Sequence, residues 1–310
     1  MTYRSKQQSG TSLWTHWDEF VMKYLRTGRS NVTVKNVRDA LKFITSNCGI
    51  TTIEHCNNQR LLEDALFEMK KERHWSNVTY NAYLKNLNTY FMWLEKQGYI
   101  TENNLKKVSR CKEELNEQYT LSEDQVKLVV AQIHDRRQTR LQRYRNVFFI
   151  DLLRFTGARP CELLNIQCKH IREEKDTYVL AIQGRKQKGR IRYYRFPSWL
   201  RDSYETYMDY RARLRENEPY VFISSSKQGK WTEKGMRGLF RKLSNELEFR
   251  ITAYSFRRFV ATHLNKEGVD LKDIQQYLGH TRPSTTLRYI ERSCVLTDKC
   301  GLTMSKIIES

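Results

Sequence analysis

The sequence predicts a mainly α protein with one small β-hairpin, divided into two domains. Apolar residues recur three and four apart over most of the chain, the spacing of one helix face. Two β-rich runs, TYVLAIQG and RIRYYRF, flank a polar turn and read as a hairpin. The length of 310 residues exceeds what one core serves, since single cores stop growing near ~250–300 residues. Between Asn103 and Gln118 the apolar pattern fades into KKVSRCKEELNEQ, a charged stretch suited to an exposed connection. The expected domains are therefore residues 1–112 and 118–310.

The first domain reads as four helices. Trp14, Trp17, Val21, Tyr24 and Leu25 make one stripe; Val34, Val37, Leu41 and Ile44 make a second, behind Asn31 as N-cap. Leu62, Ala65, Leu66 and Met69 form the third. The longest carries Tyr80, Tyr83, Leu84, Leu87, Tyr90, Phe91 and Leu94, with Gly98 placed to stop it. Its opposite face holds Asn77, Asn81, Lys85 and Asn88, types that can donate to phosphates or base edges, and equally the solvated face of any amphipathic helix. Asn81 and Lys85 are the candidate DNA contacts there.

The second domain restarts at TLSEDQV, with Ser122 as N-cap and acidic residues in the first turn. Val147 to Phe155 is an apolar helix ending at Gly157, and Pro160 suits the first turn of the next, which leaves Arg159 on the turn between them. After the hairpin, Met236, Leu239, Phe240, Leu243 and Leu247 mark a helix started by Thr232. Asp270 caps one more, closing at Gly279.

Lys and Arg number 55 against 35 Asp and Glu, a formal +20, while the 39% hydrophobic content still suits a folded chain. Residues 1–112 hold 18 Lys and Arg against 10 acids, so both halves are basic. Such a surplus points to an anionic partner, and nucleic acid leads because basic surfaces release the counterions of phosphates. A membrane partner is not expected: no stretch approaches the ~20 apolar residues of a spanning helix, and MTYRSKQQSG lacks the apolar run of a signal peptide. Seven Cys form an odd set without a CxxC pair and read as reduced packing thiols. Cys161, Cys168 and His170 lie close in sequence but lack zinc spacing and a fourth ligand.

Three stretches carry candidate chemistry. Arg185, Lys186, Lys188, Arg190 and Arg192 crowd the hairpin turn and its second strand; exposed like charges repel unless an anion meets them, or else the tip is simply solvated. Arg257 and Arg258 fall at the start of a helix, where guanidinium and helix-end amides could hold one phosphate, or where either arginine could pair with a carboxylate. LGHTRPSTTLRYI sets a lone His280 and a lone Tyr289 around a Pro and several hydroxyls, with neither zinc spacing nor phosphate-loop glycines, and Ser284 reads as a helix start.

Taken in order, TGARPCELL, the basic hairpin, YSFRRFVATHL and LGHTRPSTTLRYI resemble the boxes of the tyrosine recombinase family, the phage integrases and Xer-like site-specific recombinases, over about Thr120 to Ile290. The resemblance implies a helical core-binding domain and a mixed α/β catalytic domain with a C-terminal tail, closing as a C-shaped clamp on duplex DNA. It implies Arg159 and Arg257 as phosphate-clamping arginines, Glu162 as a structural carboxylate, a hairpin lysine as acid, His280 at the phosphate and Tyr289 as nucleophile. Lys186 and Lys188 lie one alternating residue apart and both remain candidates, with Lys186 nearer the family's first lysine. Tyr254 stands where the second box usually has His, and a tyrosine can donate to phosphate without being a cation. Arg185, Lys188, Arg190 and Arg258 become expected DNA contacts.

The implied activity is site-specific cleavage and rejoining of DNA through a covalent 3′-phosphotyrosyl intermediate and a Holliday junction, serving integration, excision or dimer resolution without cofactor, metal or ATP. The implied partners are a double-stranded recombination site and three further copies of the chain, a tetramer on DNA that is monomeric or weakly associated when free. The tail ending in KCGLTMSKII would dock in a neighbouring protomer, and the setting would be cytoplasmic, in a prokaryote, virus or mobile element. A type IB topoisomerase-like relaxer shares these residues, and the Tyr254 departure alone hints at a DNA-binding regulator without catalysis.

Overall fold

The structure is a computed structural model that describes residues 10–112, 120–184, 191–215, 217–225 and 229–280. The chain divides into two compact units, Met1–Asn116 and Glu117–Ser310.

The first unit is built from α1 (Trp17–Arg26), α2 (Asn31–Asn47), α3 (Gln59–Glu72) and α4 (Asn77–Gln97). Side chains of Ser30, Asn58 and Ser76 accept from the amides three residues on and satisfy donors that would otherwise be orphaned at each start. Ser30 is therefore the cap of α2, and Asn31, expected to cap it, is its first helical residue: the Ser30 backbone is extended and its hydroxyl reaches the Thr33 amide at 3.3 Å. Gly98 ends α4 in the left-handed conformation, φ 78°. Phe20, Leu41, Ile44, Leu66, Leu87, Tyr90, Phe91 and Leu94 meet in one buried core, each worth about 1.5–3 kcal/mol of apolar burial. The buried Tyr90 hydroxyl is satisfied by the Leu13 carbonyl at 2.8 Å.

The stretch from Asn103 to Lys112, expected as exposed connection, folds back on this unit. Asn103, Asn104, Leu105 and Val108 are buried around a 3-10 turn at Asn104–Lys106. Asn81 donates to the Cys111 carbonyl at 2.8 Å and accepts from the Cys111 amide at 3.0 Å, while Asn77 donates to the Lys112 carbonyl at 2.7 Å. Asn77 and Asn81 on the polar face of α4 thus bond the chain's own backbone, a scaffolding role for Asn81, the expected DNA contact, while Asn88 accepts from the Asn103 side chain at 2.6 Å and Lys85 stays exposed.

The second unit contains α5 (Glu123–Asp135), α6 (Arg140–Thr156), α7 (Pro160–Leu164), β1 (Ile171–Glu174), β2 (Thr177–Gln183), β3 (Ile191–Arg195), α8 (Ser198–Arg215), α9 (Glu233–Glu246), α10 (Ala253–Lys266) and α11 (Leu271–Leu278). Reciprocal capping boxes at Ser122/Gln125 and Thr139/Gln142 start α5 and α6, so α6 begins well ahead of its apolar run. Phe148, Phe149, Ile150, Leu152 and Leu153 make α6 the buried spine of the unit. The hairpin is part of a three-stranded antiparallel sheet in the order β1-β2-β3. Along β3 exposure alternates: Ile191, Tyr193 and Arg195 face out, Arg192 and Tyr194 face in. Arg192, expected among exposed hairpin cations, is buried. Among the described residues no helix is long and apolar enough to cross a membrane.

Candidate active site

Two chain reversals build the site. At the first, α6 ends on Gly157 with φ 55°, and a Cβ there would meet Leu278 Cδ2 at 2.6 Å, so both the conformation and the packing require glycine. Arg159 follows as the residue before α7, with Pro160 at the first helical position. Glu162, one turn on, reaches back to accept the Arg159 amide at 3.0 Å and its guanidinium at 2.9 Å.

At the second, α11 closes in a Schellman motif. Gly279 takes φ 65°, its amide donates to Gln276, and the His280 amide donates to the Gln275 carbonyl at 2.9 Å. The motif carries His280 out of the helix and into the core of the unit, where it is 3% exposed.

Three guanidinium groups converge on the carbonyls that α11 leaves unpaired. Arg192 donates to Leu278 O at 2.9 Å and Tyr277 O at 3.4 Å, Arg257 to Leu278 O at 2.6 Å, and Arg159 to Gly279 O at 3.1 Å. A helix C-terminus carries partial negative charge, so this end is suited to cations. Arg257 is 1% exposed and also donates to Gly157 O at 2.7 Å, tying the two reversals together. Its Nε donates to His280 Nε2 at 3.2 Å.

Glu162 is the buried counter-charge, held by Arg159 and by Arg192 at 2.6 Å. Burial alone would push its carboxyl up; Arg192, the Arg159 amide and the Arg159 guanidinium together outweigh that and hold it below the usual carboxylate range. His280 goes the other way for a base: burial, then the nearby Arg257, Arg159 and Arg192, push its pKa down to about 3. A neutral imidazole that accepts at Nε2 carries its proton on Nδ1. The Arg159 side chain keeps 22% exposure and donates to Glu162 and Gly279 from a guanidinium that carries about five N–H donors. Donors of Arg159 therefore remain to meet an anion.

Of the expected site residues, the structure gathers Arg159, Arg257 and His280. Tyr254 lies in the first turn of α10, 48% exposed, and Arg258 is half-buried on the same helix. At the start of α10, where Arg257 was expected to share a phosphate with the helix end, Thr252 and Ser255 cap each other reciprocally, and Arg257 turns inward to Gly157, Leu278 and His280. Lys186, Lys188, Arg185, Arg190 and Tyr289 lie outside the described residues. Arg192 was missed as a site residue; the strand alternation that turns Tyr194 inward was the signal that could have found it. A cavity of about 580 Å³ opens between β3 and α11, lined by Arg192, Tyr193, Lys272, Gln275 and His280 among others. Among the described residues no three His, Cys, Asp or Glu side chains could share a metal ion, and Cys161 and Cys168 are free thiols.

The family model of the phage integrase family matches residues 119–294. The chain is similar to the tyrosine recombinase XerC of Oceanobacillus iheyensis, 26% identical over 88% of this chain and 90% of that one. It is also similar to tyrosine recombinase XerC of Rickettsia canadensis, at 28% identity over 89% and 91%. Among solved structures, the XerH site-specific recombinase bound to its palindromic difH substrate shares the fold with a TM-score of 0.73 at 19% identity, covering 91% of this chain and 82% of that one. A lambda integrase dimer on a core site shares it at 0.67 and 17% identity, over 90% and 77%.

Proposed function

The chain belongs to the phage integrase family of tyrosine-type site-specific recombinases, and from that premise we propose how its own residues cut and rejoin DNA. The observation that carries the reading is the convergence of Arg159, Arg257 and His280 at the end of α11, a few residues ahead of Tyr289. Attack on a phosphodiester builds negative charge on the nonbridging oxygens, and guanidinium groups fixed beforehand stabilise that charge without reorganising. Arg159 is the first contact, with donors to spare; Arg257 backs it from beneath.

The Tyr289 phenol forms a bond to phosphorus as the bond to the 5′ oxygen breaks, which leaves a 3′-phosphotyrosyl link and a 5′ hydroxyl. Lys186 or Lys188 gives the departing oxygen its proton. His280, neutral in the free protein, acts as a hydrogen-bonding group at the phosphate or a relay for the phenol proton, rather than as a standing cation. The 5′ hydroxyl of a partner strand then reverses the step, and two such exchanges pass through a Holliday junction with phosphoester energy conserved.

The DNA partner is supported by both basic units, +8 over residues 1–112 and +12 over the rest, the difference from +20. The first unit would serve as the core-binding domain, with Lys85 facing the backbone, and the second as the catalytic domain, with Arg185, Lys188, Arg190 and Arg258 as further contacts. Assembly as a tetramer on two sites, with the tail of one protomer on the next, completes the reading, and a cytoplasmic setting follows from work on DNA.

The test uses nicked suicide duplexes drawn from DNA that flanks the chain's own coding sequence. The full chain should trap one strand covalently, Tyr289→Phe should trap none while binding the same duplex within about twofold, and an adduct surviving in that variant would mean another nucleophile.

A further inference from the structure

We propose that Arg192 is a positioning residue of this site: it neutralises Glu162 and fixes the end of α11, so that Arg159 and His280 meet the DNA phosphate already oriented. The inference rests on the recombinase reading above. Arg192 sits on β3 with its side chain 8% exposed, and its guanidinium joins three separate elements. It donates to Glu162 Oε2 of α7 at 2.6 Å, to Leu278 O of α11 at 2.9 Å and to the Tyr194 hydroxyl of its own strand at 3.1 Å. The approach is close enough to dictate a neighbour: a Cβ on Gly279 would lie 2.9 Å from Arg192 Cζ.

Two physical consequences follow. Glu162 is a buried carboxylate facing two guanidiniums, and with Arg192 on Oε2 the Arg159 fork needs only one donor for the carboxylate. Without Arg192, Arg159 would be the single cation left for a buried charge, and its donors would be drawn inward, away from a phosphate. Leu278 O is shared between Arg192 and Arg257, so the carbonyl beside His280 is held from both sides. Lysine cannot replace this fully, because an ammonium has no fork that spans a carboxylate and a carbonyl together.

Nothing in this role asks Arg192 to touch DNA. It acts through Arg159, Glu162 and His280, and its removal should therefore slow chemistry far more than binding.

The experiment compares Arg192→Met, Arg192→Lys and Gly279→Ala with the unmodified full chain in single-turnover trapping on the same nicked duplexes, alongside duplex affinity, circular dichroism and the pH dependence of the trapping rate. Arg192→Met should slow trapping by about 30- to 100-fold with affinity within about twofold. Arg192→Lys should recover part of that loss, and Gly279→Ala, which presses on the guanidinium, should repeat the Met defect. The acid limb of the rate profile should move to higher pH in Arg192→Met, because His280 and Glu162 each lose a nearby cation. A folded Arg192→Met that traps at the original rate overturns the inference, as does a loss matched by weaker binding with an unmoved acid limb and no benefit from lysine. If the Met variant does not fold, Arg192→Lys decides: an unchanged rate overturns the proposal and a partial loss with a shifted limb supports it. Failure of the unmodified chain to trap DNA, or trapping by Tyr289→Phe, would instead sink the recombinase reading itself.

Discussion

Arg257 and His280 are joined by a 3.2 Å hydrogen bond from Nε to Nε2, between two side chains that are almost wholly buried. The donor is a permanent cation, so the acceptor must be a neutral imidazole, and one bond sets both the charge and the tautomer of His280. The pair also bridges the two chain reversals of the site, since Arg257 holds Gly157 O on one side and Leu278 O on the other.

Acid should loosen this unit through His280. Its folded pKa of about 3 lies below the ordinary value of 6.5, so between those limits the unfolded chain binds a proton that the folded chain refuses. The stability contribution is full above 6.5 and is lost on acidification, at a slope of up to about 1.4 kcal/mol per pH unit. Glu162 adds to the loss lower down, because a depressed carboxyl contributes above its ordinary range of about 4.3 and stops contributing as pH falls through its folded value. Hydrogen exchange of α6 and α11 peptides in the full chain should show protection falling between about pH 6.5 and 5, and His280→Gln should flatten that slope. Protection independent of pH in the unmodified chain would contradict a neutral buried His280.

Removing the buried counter-charge should be costly. Glu162→Ala leaves Arg192 buried without its carboxylate, and breaking a buried pair from one side costs about 3–5 kcal/mol. Glu162→Gln keeps an acceptor for the Arg159 amide and should cost less. Urea midpoints for the second unit, followed by exchange of α6 peptides, should rank the unmodified chain first, then Gln, then Ala. Equal midpoints would mean that water replaces the carboxylate at both guanidiniums.

Two glycines with the same sign of φ should respond differently to alanine. Gly98 has φ 78° with nothing within 4 Å, so Gly98→Ala bears only the left-handed penalty of about 1 kcal/mol. Gly157 has φ 55° and no room: the new methyl would meet Leu278 Cδ2 at 2.6 Å and Val260 Cβ at 3.2 Å. Gly157→Ala should cost about 2–4 kcal/mol and displace the carbonyl that holds Arg257. Melting of both variants, with trapping rate as a second readout, checks the contrast, and a Gly157→Ala chain as active as Gly98→Ala would deny the carbonyl its part.

Local signals were legible in the sequence and long-range ones were not. Gly98, Gly157, Gly279, Thr232 and Asp270 punctuate helices through bonds within a few residues, and each stands where the spacing put it. β1 escaped notice because IREE is four residues with two carboxylates and no apolar alternation. α8 escaped because SWLRDSYETYMDYRARLR buries aromatics that also read as polar, such as Tyr207, whose hydroxyl reaches Val221 O. Arg192 read as a surface cation because the carboxylate that makes its burial tolerable is 30 residues away. The box residues Arg159, Arg257 and His280 were found by resemblance, whereas their mutual bonds needed coordinates.

Asn81 and Lys85 lie one turn apart on α4 and were expected to do the same job, yet the structure separates them. Asn81 satisfies both the amide and the carbonyl of Cys111, so Asn81→Ala should destabilise the first unit by about 1–3 kcal/mol, the cost of two stranded backbone groups. Lys85 is exposed, and its removal should leave the melting of that unit in place. If the first unit grips DNA through this face, Lys85→Ala should weaken duplex binding uniformly across sequences and reduce the slope of log affinity against log salt by about 1. Asn81→Ala should leave that slope alone at temperatures where the unit is folded. Salt titrations of both variants against one duplex decide the matter: a slope lost with Asn81 and kept without Lys85 would return the asparagine to the DNA and take the lysine away from it.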